Sequence, residues 1–427
     1  MSHQRHLQLL RFFNSNLYGK RPWCTTVPSG FPVAHCTSNL SAGSRLQELK
    51  EVNLDACKMG SLATFLVISS LAYFVSGTEL KFKLHRKEGT FKPVTFPTVR
   101  RSASLTFKNL RNEEYWASLT IGTPPQKFEA MFDTGSHLLW VPNRNCSNCY
   151  HKNMFDESKS SSYVDLNRSI SIDYAIGYMR GRCGKDVVNI AGIEVKDQEM
   201  ATALEGAFQE NLFDGIVGLS FSPNRPDVLT SVLENFLSQK LLKRNVMSFY
   251  MNRKGDPKDG GEFVLGGWNK NLFDPEKIEY IQTESYDWGI KIESMYFGKE
   301  KGYCNNCYAI ADTGSTMITG PINEMMIYIN KLNAEELEDG YHFVKCDRVD
   351  SLPDWTIMIS GKRFTLKPWD YTFTNSSHPG YCMLGFTGNY ETDWVLGTMF
   401  LSNYYTVFDI EKRRVAFAPL KVDKRNY

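Results

Sequence analysis

The chain has 427 residues and a formal net charge of +2. That length is enough for two or three domain-sized units, so the size of the core is not limiting. Because the charge is near neutral and no long basic tract occurs, nucleic acid is excluded as an expected partner.

Residues 1–58 form a basic N-terminal extension, with four Lys/Arg residues before position 22 and no acidic residue before Glu48. This composition resembles a mitochondrial transit peptide. It fits equally well an untranslated extension upstream of a start at Met59. We favour the second interpretation, because the sequence that follows is typical of a secreted protein.

Residues 59–77 resemble a signal peptide. Residues 62–75 form an apolar run of h-region length, and small or tolerated residues, Val75, Ser76 and Gly77, precede a cut after Gly77. The run is short for a membrane span, so no stable span is expected. The alternative interpretation is a buried core strand or helix. A signal peptide predicts the secretory pathway, with secretion or a lysosomal compartment as the destination.

Residues 78–110 form a basic linker or pro-segment. They carry eight Lys/Arg residues against two Asp/Glu residues and include the dibasic pair Arg100-Arg101. Residues 111–427, in contrast, contain eight more acidic than basic residues. A basic leader therefore precedes an acidic body.

The body of the chain, from about residue 112, is predicted to be mostly β. Short apolar runs alternate with Gly, Pro, Asn and Ser, which is typical of strands joined by turns. The predicted strands include residues 116–121, 127–132, 170–174, 186–190 and 262–265. Apolar residues at three- and four-residue spacing predict two helices, over residues 227–242 and 322–332.

The tripeptide Asp-Thr-Gly occurs twice, as Asp133-Thr134-Gly135 and as Asp312-Thr313-Gly314, each after an apolar run and before a serine. An apolar-apolar-Gly segment follows each copy, within residues 213–219 and 394–400. A single Asp-Thr-Gly is usually a turn. The repetition predicts two similar lobes that each supply one Asp to a shared site. Such a pair can activate water without a metal or a covalent intermediate.

From about residue 114 to residue 420 the chain resembles the pepsin-like aspartic proteases, which include pepsin and cathepsin D. The motifs that carry the resemblance are Asp133-Thr-Gly-Ser with Leu139-Trp-Val-Pro142, Asp312-Thr-Gly-Ser-Thr with Thr319-Gly-Pro321, Tyr115 with Ile121-Gly-Thr-Pro-Pro-Gln126, residues 260–267 and residues 404–409. The resemblance implies an all-β, bilobal fold with a central cleft between two barrel-like lobes, residues 111–284 and 285–427.

The resemblance also implies the chemistry. Asp133 and Asp312 would share one proton, since two adjacent carboxylates cannot easily both ionise. The ionised partner would take a proton from an attacking water, and the protonated partner would bind the peptide carbonyl. Because one carboxyl must stay protonated, the activity is expected to have its optimum at acidic pH. The implied supporting residues, whose alternative role is in simple turns, are Thr134, Gly135, Ser136, Thr313, Gly314 and Ser315.

Residues 170–181 resemble the flap that closes over substrate, with Tyr174 in the position of a tyrosine that bonds the Trp140 indole. Two departures surround the site. Ala175-Ile176 replaces the usual Gly-Thr or Gly-Ser, and His137 replaces a usual serine. His137 could add positive charge near the pair at low pH, or be a solvent-facing substitution. The implied pocket positions, Met131, Phe213 and Ile216, favour bulky apolar substrate residues, with core packing as the alternative.

The cysteines allow two interpretations. Cys146/Cys149 and Cys304/Cys307 are Cys-x-x-Cys pairs, which can hold zinc. A secretory route favours oxidation instead. The family places a small disulfide loop at each position, and the resemblance further implies a Cys346–Cys382 bridge, leaving Cys183 as a free thiol. Candidate glycosylation sequons begin at Asn39, Asn145, Asn167 and Asn375.

The resemblance implies a monomeric endopeptidase zymogen that acts on polypeptides and needs neither cofactor nor metal. Residues 78–110 would be an inhibitory propeptide, whose cations pair with an acidic cleft until acidification protonates the carboxylates. The alternative for this segment is a solvated linker. The alternative function is an inactive homologue that binds peptides without cleaving them. That alternative depends on the flap change and His137, because both Asp-Thr-Gly loops are intact.

Overall fold

The computed structural model describes residues 101–110, 114–149, 153–174, 177–208, 213–223, 225, 227–253, 259–338, 340–374, 378–390 and 393–421, together with two short upstream strands. These strands, β1 (Arg5–Gln8) and β2 (Lys81–Leu84), pair antiparallel within a first unit, residues 1–96. The second unit is residues 97–427. The predicted signal peptide, residues 59–77, lies outside the described residues.

Strands of the first half of the second unit follow one another with few helical interruptions. They are β3 (Ala103–Thr106), β4 (Lys108–Leu110), β5 (Glu114–Ile121), β6 (Gln126–Asp133), β7 (Leu139–Ser147), β8 (Val164–Tyr174), β9 (Gly177–Ile190), β10 (Ile193–Phe208), β11 (Gly215–Gly218), β12 (Val246–Met251) and β13 (Gly261–Leu265). The five predicted strands all fall within this set or differ from it by one or two end residues.

The second half of this unit is likewise built mainly of strands. Its strands are β14 (Tyr280–Gln282), β15 (Gly289–Phe297), β16 (Glu300–Ala311), β17 (Ile318–Pro321), β18 (Glu335–Glu338), β19 (Tyr341–Lys345), β20 (Trp355–Ile359), β21 (Lys362–Leu366), β22 (Thr372–Thr374), β23 (Tyr381–Leu384), β24 (Phe386–Asn389), β25 (Trp394–Leu396), β26 (Tyr404–Asp409) and β27 (Arg414–Pro419). Short 3-10 turns lie at Glu157–Lys159, Pro275–Lys277, Cys346–Ser351 and Pro368–Asp370.

The sheets show that the sequence repeat is a structural repeat. An eight-stranded sheet, ordered β4-β5-β6-β11-β7-β10-β9-β8, forms the first lobe, and a seven-stranded sheet, ordered β21-β20-β15-β16-β25-β17-β24, forms most of the second. In the first, β11 runs parallel to β6 and antiparallel to β7. In the second, β25 runs parallel to β16 and antiparallel to β17. The predicted all-β, bilobal architecture is confirmed.

A six-stranded sheet, ordered β14-β27-β26-β12-β13-β3, joins strands from both halves of the chain. The strand β3 forms its edge, and Phe107 after it is 1% exposed and packs on Phe249 and Phe263. A four-stranded sheet, β18-β19-β23-β22, completes the second lobe. Residues 103–110, the last part of the predicted pro-segment, are thus paired with strands of the body in this structure.

The α-helices are short: α1 (Val232–Ser238), α2 (Ile322–Lys331) and α3 (Thr398–Leu401). The prediction of a helix over 227–242 was too long. Ser231 and Glu234 form a capping box that begins α1. The residue before it, Thr230, bonds instead to the side chains of β10. No helix among the described residues is long and apolar enough to cross a membrane.

Candidate active site

Each Asp lies where a strand ends beside a glycine-ended strand. Asp133 is the last residue of β6, and its carbonyl accepts from the Leu219 amide at 2.6 Å. Asp312 follows β16, and its amide donates to the Leu396 carbonyl at 3.1 Å. A Cβ added at Gly218 would lie 2.3 Å from the His137 carbonyl carbon, which shows how closely β11 approaches the first loop. The downstream glycines therefore hold the loops in place, as predicted.

The two loops are braced to each other through their threonines. The Thr134 amide donates to Thr313 Oγ1 at 3.0 Å, and the Thr313 amide donates to Thr134 Oγ1 at 2.9 Å. Each hydroxyl in turn donates across the lobes, Thr134 to the Ala311 carbonyl at 2.7 Å and Thr313 to the Phe132 carbonyl at 2.6 Å. Both threonines are buried. The four bonds fix the spacing of the loops that carry the carboxylates.

The carboxylate of each loop faces the glycine of the other. A Cβ at Gly135 would lie 2.5 Å from Asp312 Cγ, and a Cβ at Gly314 would lie 2.3 Å from Asp133 Oδ1. Each glycine amide donates to the Oδ1 of the aspartate in its own loop at 2.8 Å. Glycine is required at both positions because any side chain there would occupy the space of a carboxylate.

The two serines complete the hydrogen bonding of the carboxylates. Ser136 donates to Asp133 Oδ2, and Ser315 donates to Asp312 Oδ2 at 2.6 Å. In each loop, therefore, one oxygen is bonded to an amide and the other to a hydroxyl. These donors orient the carboxylates while leaving them able to bond a further polar group.

The pKa of Asp133 is raised well above its usual range. Burial is the largest cause, since Asp133 is only 7% exposed. The charge of Asp312 and a hydrogen bond with it raise the pKa further, while the donors Ser136 and Gly135 oppose the shift. The Asp133 carboxyl consequently keeps its proton at pH values where an isolated aspartate is ionised.

This raised pKa predicts how stability depends on pH. Above about pH 4 the unfolded chain loses the Asp133 proton while the folded protein keeps it, so the free energy of unfolding falls as pH rises towards the raised pKa. Asparagine does not titrate, so Asp133→Asn removes this fall in the free energy of unfolding. In thermal unfolding at pH 7 the variant should have a higher Tm than the wild type, and at pH 3 this advantage should disappear. An equal Tm difference at both pH values would contradict the pKa shift.

His137 is half-buried at the end of the first loop and is not a freely solvent-facing side chain. Burial lowers its pKa, the carboxylate of Glu234 in α1 opposes that shift, and Arg225 adds to it. The lowered pKa of His137 confines a positive charge on its imidazole to acidic pH, the range in which the prediction placed it.

The strands β8 and β9 form a hairpin where the flap was predicted, with Tyr174 paired to Gly177 at the end of the ladder. The Trp140 indole Nε1 donates to the Tyr174 hydroxyl at 3.0 Å. Burial raises the pKa of Tyr174, and the charge of Asp133 raises it further. The Tyr174 hydroxyl therefore lies close enough to Asp133 to be affected by its charge. Ala175 and Ile176, the predicted departures, lie outside the described residues.

The three predicted pocket residues belong to one apolar cluster with Trp140 and Tyr174. Met131 and Ile216 are buried, paired across β6 and β11, and Phe213 is half-buried. Only Phe213 offers substantial accessible surface in this structure, so core packing accounts for much of the other two positions.

The six predicted disulfide cysteines are bonded in the structure as Cys146–Cys149, Cys304–Cys307 and Cys346–Cys382. Each Cys-x-x-Cys pair closes on itself and so offers no thiolates to zinc. Cys183 is a buried free thiol, and burial raises its pKa.

Two of the sequon asparagines, Asn145 and Asn167, are exposed, Asn145 at the end of β7 and Asn167 within β8. Asn375 and Asn39 lie outside the described residues.

Sequence reasoning missed three residues beside the second loop: Ser285, Asp287 and Tyr308. Tyr308 lies on β16 four residues before Asp312, and Ser285 and Asp287 precede the strand that pairs with it. No motif marks these residues. For Tyr308 alone the sequence held a clue. Side chains alternate along a strand, so a residue four positions before Asp312 is expected on the same face as Asp312.

A two-lobed β-protein with a pair of facing Asp-Thr-Gly loops defines the class of the molecule. Residues 114–420 match the profile described as eukaryotic aspartyl protease. Among similar proteins, cathepsin D of Gallus gallus is 34% identical over 353 residues, covering 79% of this chain and 86% of that protein. Cathepsin E of Aquarana catesbeiana is 34% identical over 333 residues, covering 75% and 82%. Gastricsin of Cavia porcellus is 34% identical over 317 residues, covering 71% and 79%.

The chain therefore belongs to the eukaryotic aspartyl protease family and is an aspartic endopeptidase, a hydrolase whose substrates are polypeptides. Similarity to cathepsins and a gastricsin agrees with the secretory-pathway location that the sequence predicts.

Proposed function

We propose that the chain hydrolyses peptide bonds with Asp133 and Asp312 acting as one proton-sharing pair. The observation that supports this most strongly is the crossed arrangement of the loops, in which each carboxylate lies against the glycine of the other loop. The raised pKa of Asp133 fits a pair that keeps one proton in acid. Nothing in this chemistry calls for a metal or a covalent intermediate.

The mechanism follows from the two charge states of the pair. The ionised carboxyl takes a proton from a bound water as the water oxygen attacks the peptide carbonyl carbon. The protonated carboxyl donates a hydrogen bond to the carbonyl oxygen, where negative charge develops, and a proton then passes to the leaving amine as the C–N bond breaks. Activity should be highest in acid, since rising pH removes the shared proton.

Substrate would lie between this pair and the flap hairpin. We propose that Phe213, with Met131 and Ile216 behind it, favours bulky apolar residues around the cleaved bond. The bond from Trp140 to Tyr174 would hold the flap tyrosine over the pair.

The bond from Trp140 to Tyr174 gives a test of the flap. In Tyr174→Phe the indole loses a hydrogen-bond acceptor at 3.0 Å, and we expect kcat/KM to fall about tenfold. Tyr178→Phe is the matched control, because this tyrosine lies on the same hairpin but donates to Glu205. Steady-state assays of both variants should show the loss in Tyr174→Phe alone. Equal losses in the two variants would argue against a specific role of the tyrosine.

We further propose the processing of the chain. Residues 59–77 would be a signal peptide, and the basic residues that follow, up to about 102, would be an inhibitory propeptide. The mature enzyme would comprise the lobes within 111–284 and 285–427 with β3 and β4 attached. It would act as a secreted or lysosomal monomer, with Asn145 and Asn167 available for glycosylation.

Measuring cleavage and binding together distinguishes an active protease from an inactive homologue that only binds peptides. Protein freed of its propeptide is incubated with a reduced, alkylated protein substrate between pH 3 and 6, with and without pepstatin, and the products are identified by mass spectrometry. Pepstatin-sensitive cleavage supports the proposal. Pepstatin binding, detected by calorimetry, without cleavage at any of these pH values would support a peptide-binding homologue instead.

A further inference from the structure

The hairpin of β15 and β16 carries a second polar group on the same face as Asp312. Gly289 pairs with Ile310 and Lys291 with Tyr308, and the Ala311 amide extends the ladder by donating to the Trp288 carbonyl at 3.4 Å. Tyr308, Ile310 and Asp312 alternate along the end of β16 and so share one face, and Asp287, in the bend before β15, lies at this face through its bond with the Tyr308 hydroxyl.

Burial identifies this face as the accessible one. Its members Asp287, Tyr308 and Ile310 are half-buried, whereas Ile290 and Ala309 on the opposite face are wholly buried. The face that carries Tyr308, Ile310 and Asp312 is therefore the one open to solvent.

Tyr308 is held across this face rather than beside its partner Lys291. A Cβ at Gly289 would lie 1.7 Å from the Tyr308 hydroxyl oxygen, so only glycine leaves room for the ring. The ring thus extends diagonally over β15, and its hydroxyl donates to Asp287 Oδ1. Ser285 donates to the same oxygen and contacts the Tyr308 hydroxyl. The uncharged hydroxyls of Tyr308 and Ser285 therefore hold the Asp287 carboxylate in one orientation.

The charge of that carboxylate is not compensated. Both hydroxyl bonds end on Oδ1, and Oδ2 has no hydrogen-bond partner within the described part of the chain. Nor does a Lys, Arg or His nitrogen of the described residues lie within 4.0 Å of Asp287. A half-buried, pre-oriented carboxylate with one free oxygen favours a cation that binds from outside.

We propose that Asp287, positioned by Tyr308 and Ser285, is a specificity residue that selects a Lys or Arg side chain of the polypeptide substrate close to the cleaved bond. The inference depends on the proposed function. It adds a preference of the second lobe for a cationic substrate residue to the preference of the first lobe for apolar substrate residues. The ammonium or guanidinium group would bond to Asp287 Oδ2, and its aliphatic stem would cover Ile310.

The test uses the processed enzyme, with both lobes intact, at pH 5. Cleavage of a complex peptide library, read by mass spectrometry, identifies the substrate position enriched in Lys or Arg. Two peptides that differ only there, with lysine or norleucine, then give a ratio of kcat/KM values. The wild type should prefer lysine about tenfold, and Asp287→Asn should reduce the ratio to about two or less. Asp287→Glu, which restores the charge, should recover part of the preference.

Asp197→Asn is the matched control, because Asp197 is an exposed carboxylate paired with Lys185, away from this hairpin. Its ratio should equal that of the wild type. Cleavage with no Lys or Arg enrichment at any position, or an unchanged ratio in Asp287→Asn, would overturn the inference and leave the proposed function standing. Absence of all cleavage by the wild type would overturn both.

Discussion

Asp133→Asn and Asp312→Asn are each expected to lower kcat for peptide cleavage about a thousandfold or more, with little change in the fold. Either change removes one half of a proton-sharing pair, so no group remains to activate the water while another protonates the leaving amine. Asparagine retains the shape of aspartate and can still accept the glycine amide at 2.8 Å in each loop. The measurement is the initial rate on a fluorogenic peptide at acidic pH.

The two variants should be similarly impaired, and the double variant should be little worse than either, because the carboxyls act as one unit. Circular dichroism and thermal unfolding establish that each variant is folded. If one aspartate could be replaced with less than a tenfold loss, it would not belong to the catalytic pair.

Thr134→Val and Thr313→Val are each expected to cause a large loss of stability. Thr134→Val leaves the buried Thr313 amide and Ala311 carbonyl without their bonds of 2.9 Å and 2.7 Å. Unpaired buried polar groups of this kind cost about 2 to 4 kcal/mol in the free energy of unfolding. Because the loops would also separate, kcat should fall about a hundredfold. Denaturant unfolding and steady-state kinetics measure the two effects.

Thr134→Ser and Thr313→Ser are the controls, since serine retains the hydroxyl and loses only a methyl group, worth about 1 kcal/mol. Both serine variants should keep most of the activity. A valine variant as stable and active as its serine counterpart would show that the crossed bonds do not hold the loops together.

The architecture around the two aspartates was predictable because its determinants are local and repeated. Each Asp-Thr-Gly comes after a strand, and each later glycine ends a strand that lies beside the loop. Short apolar runs separated by turn residues then predicted five strands of the first half. The Trp140 to Tyr174 bond followed from the family resemblance and not from spacing, because the two residues come from separate strands.

Other features could not be predicted because they depend on pairing between distant segments. The helix over 227–242 was overextended because apolar spacing does not show that Thr230 is tied to β10. Residues 103–110 fall at the end of the predicted basic leader, but pairing of β3 with β13 and the burial of Phe107 fix them in the body. Asp287 becomes notable only when its bond with Tyr308 places it beside the end of the strand that leads to Asp312.

The pH–rate profile of the processed enzyme tests the central claim most directly, because one carboxyl of the Asp133–Asp312 pair must be protonated and the other ionised. We predict a bell-shaped profile of kcat/KM for a single fluorogenic peptide, with its maximum in the acidic range and complete inhibition by pepstatin. An absence of cleavage throughout pH 3 to 6, or a rate that rises steadily to neutral pH, would contradict the account.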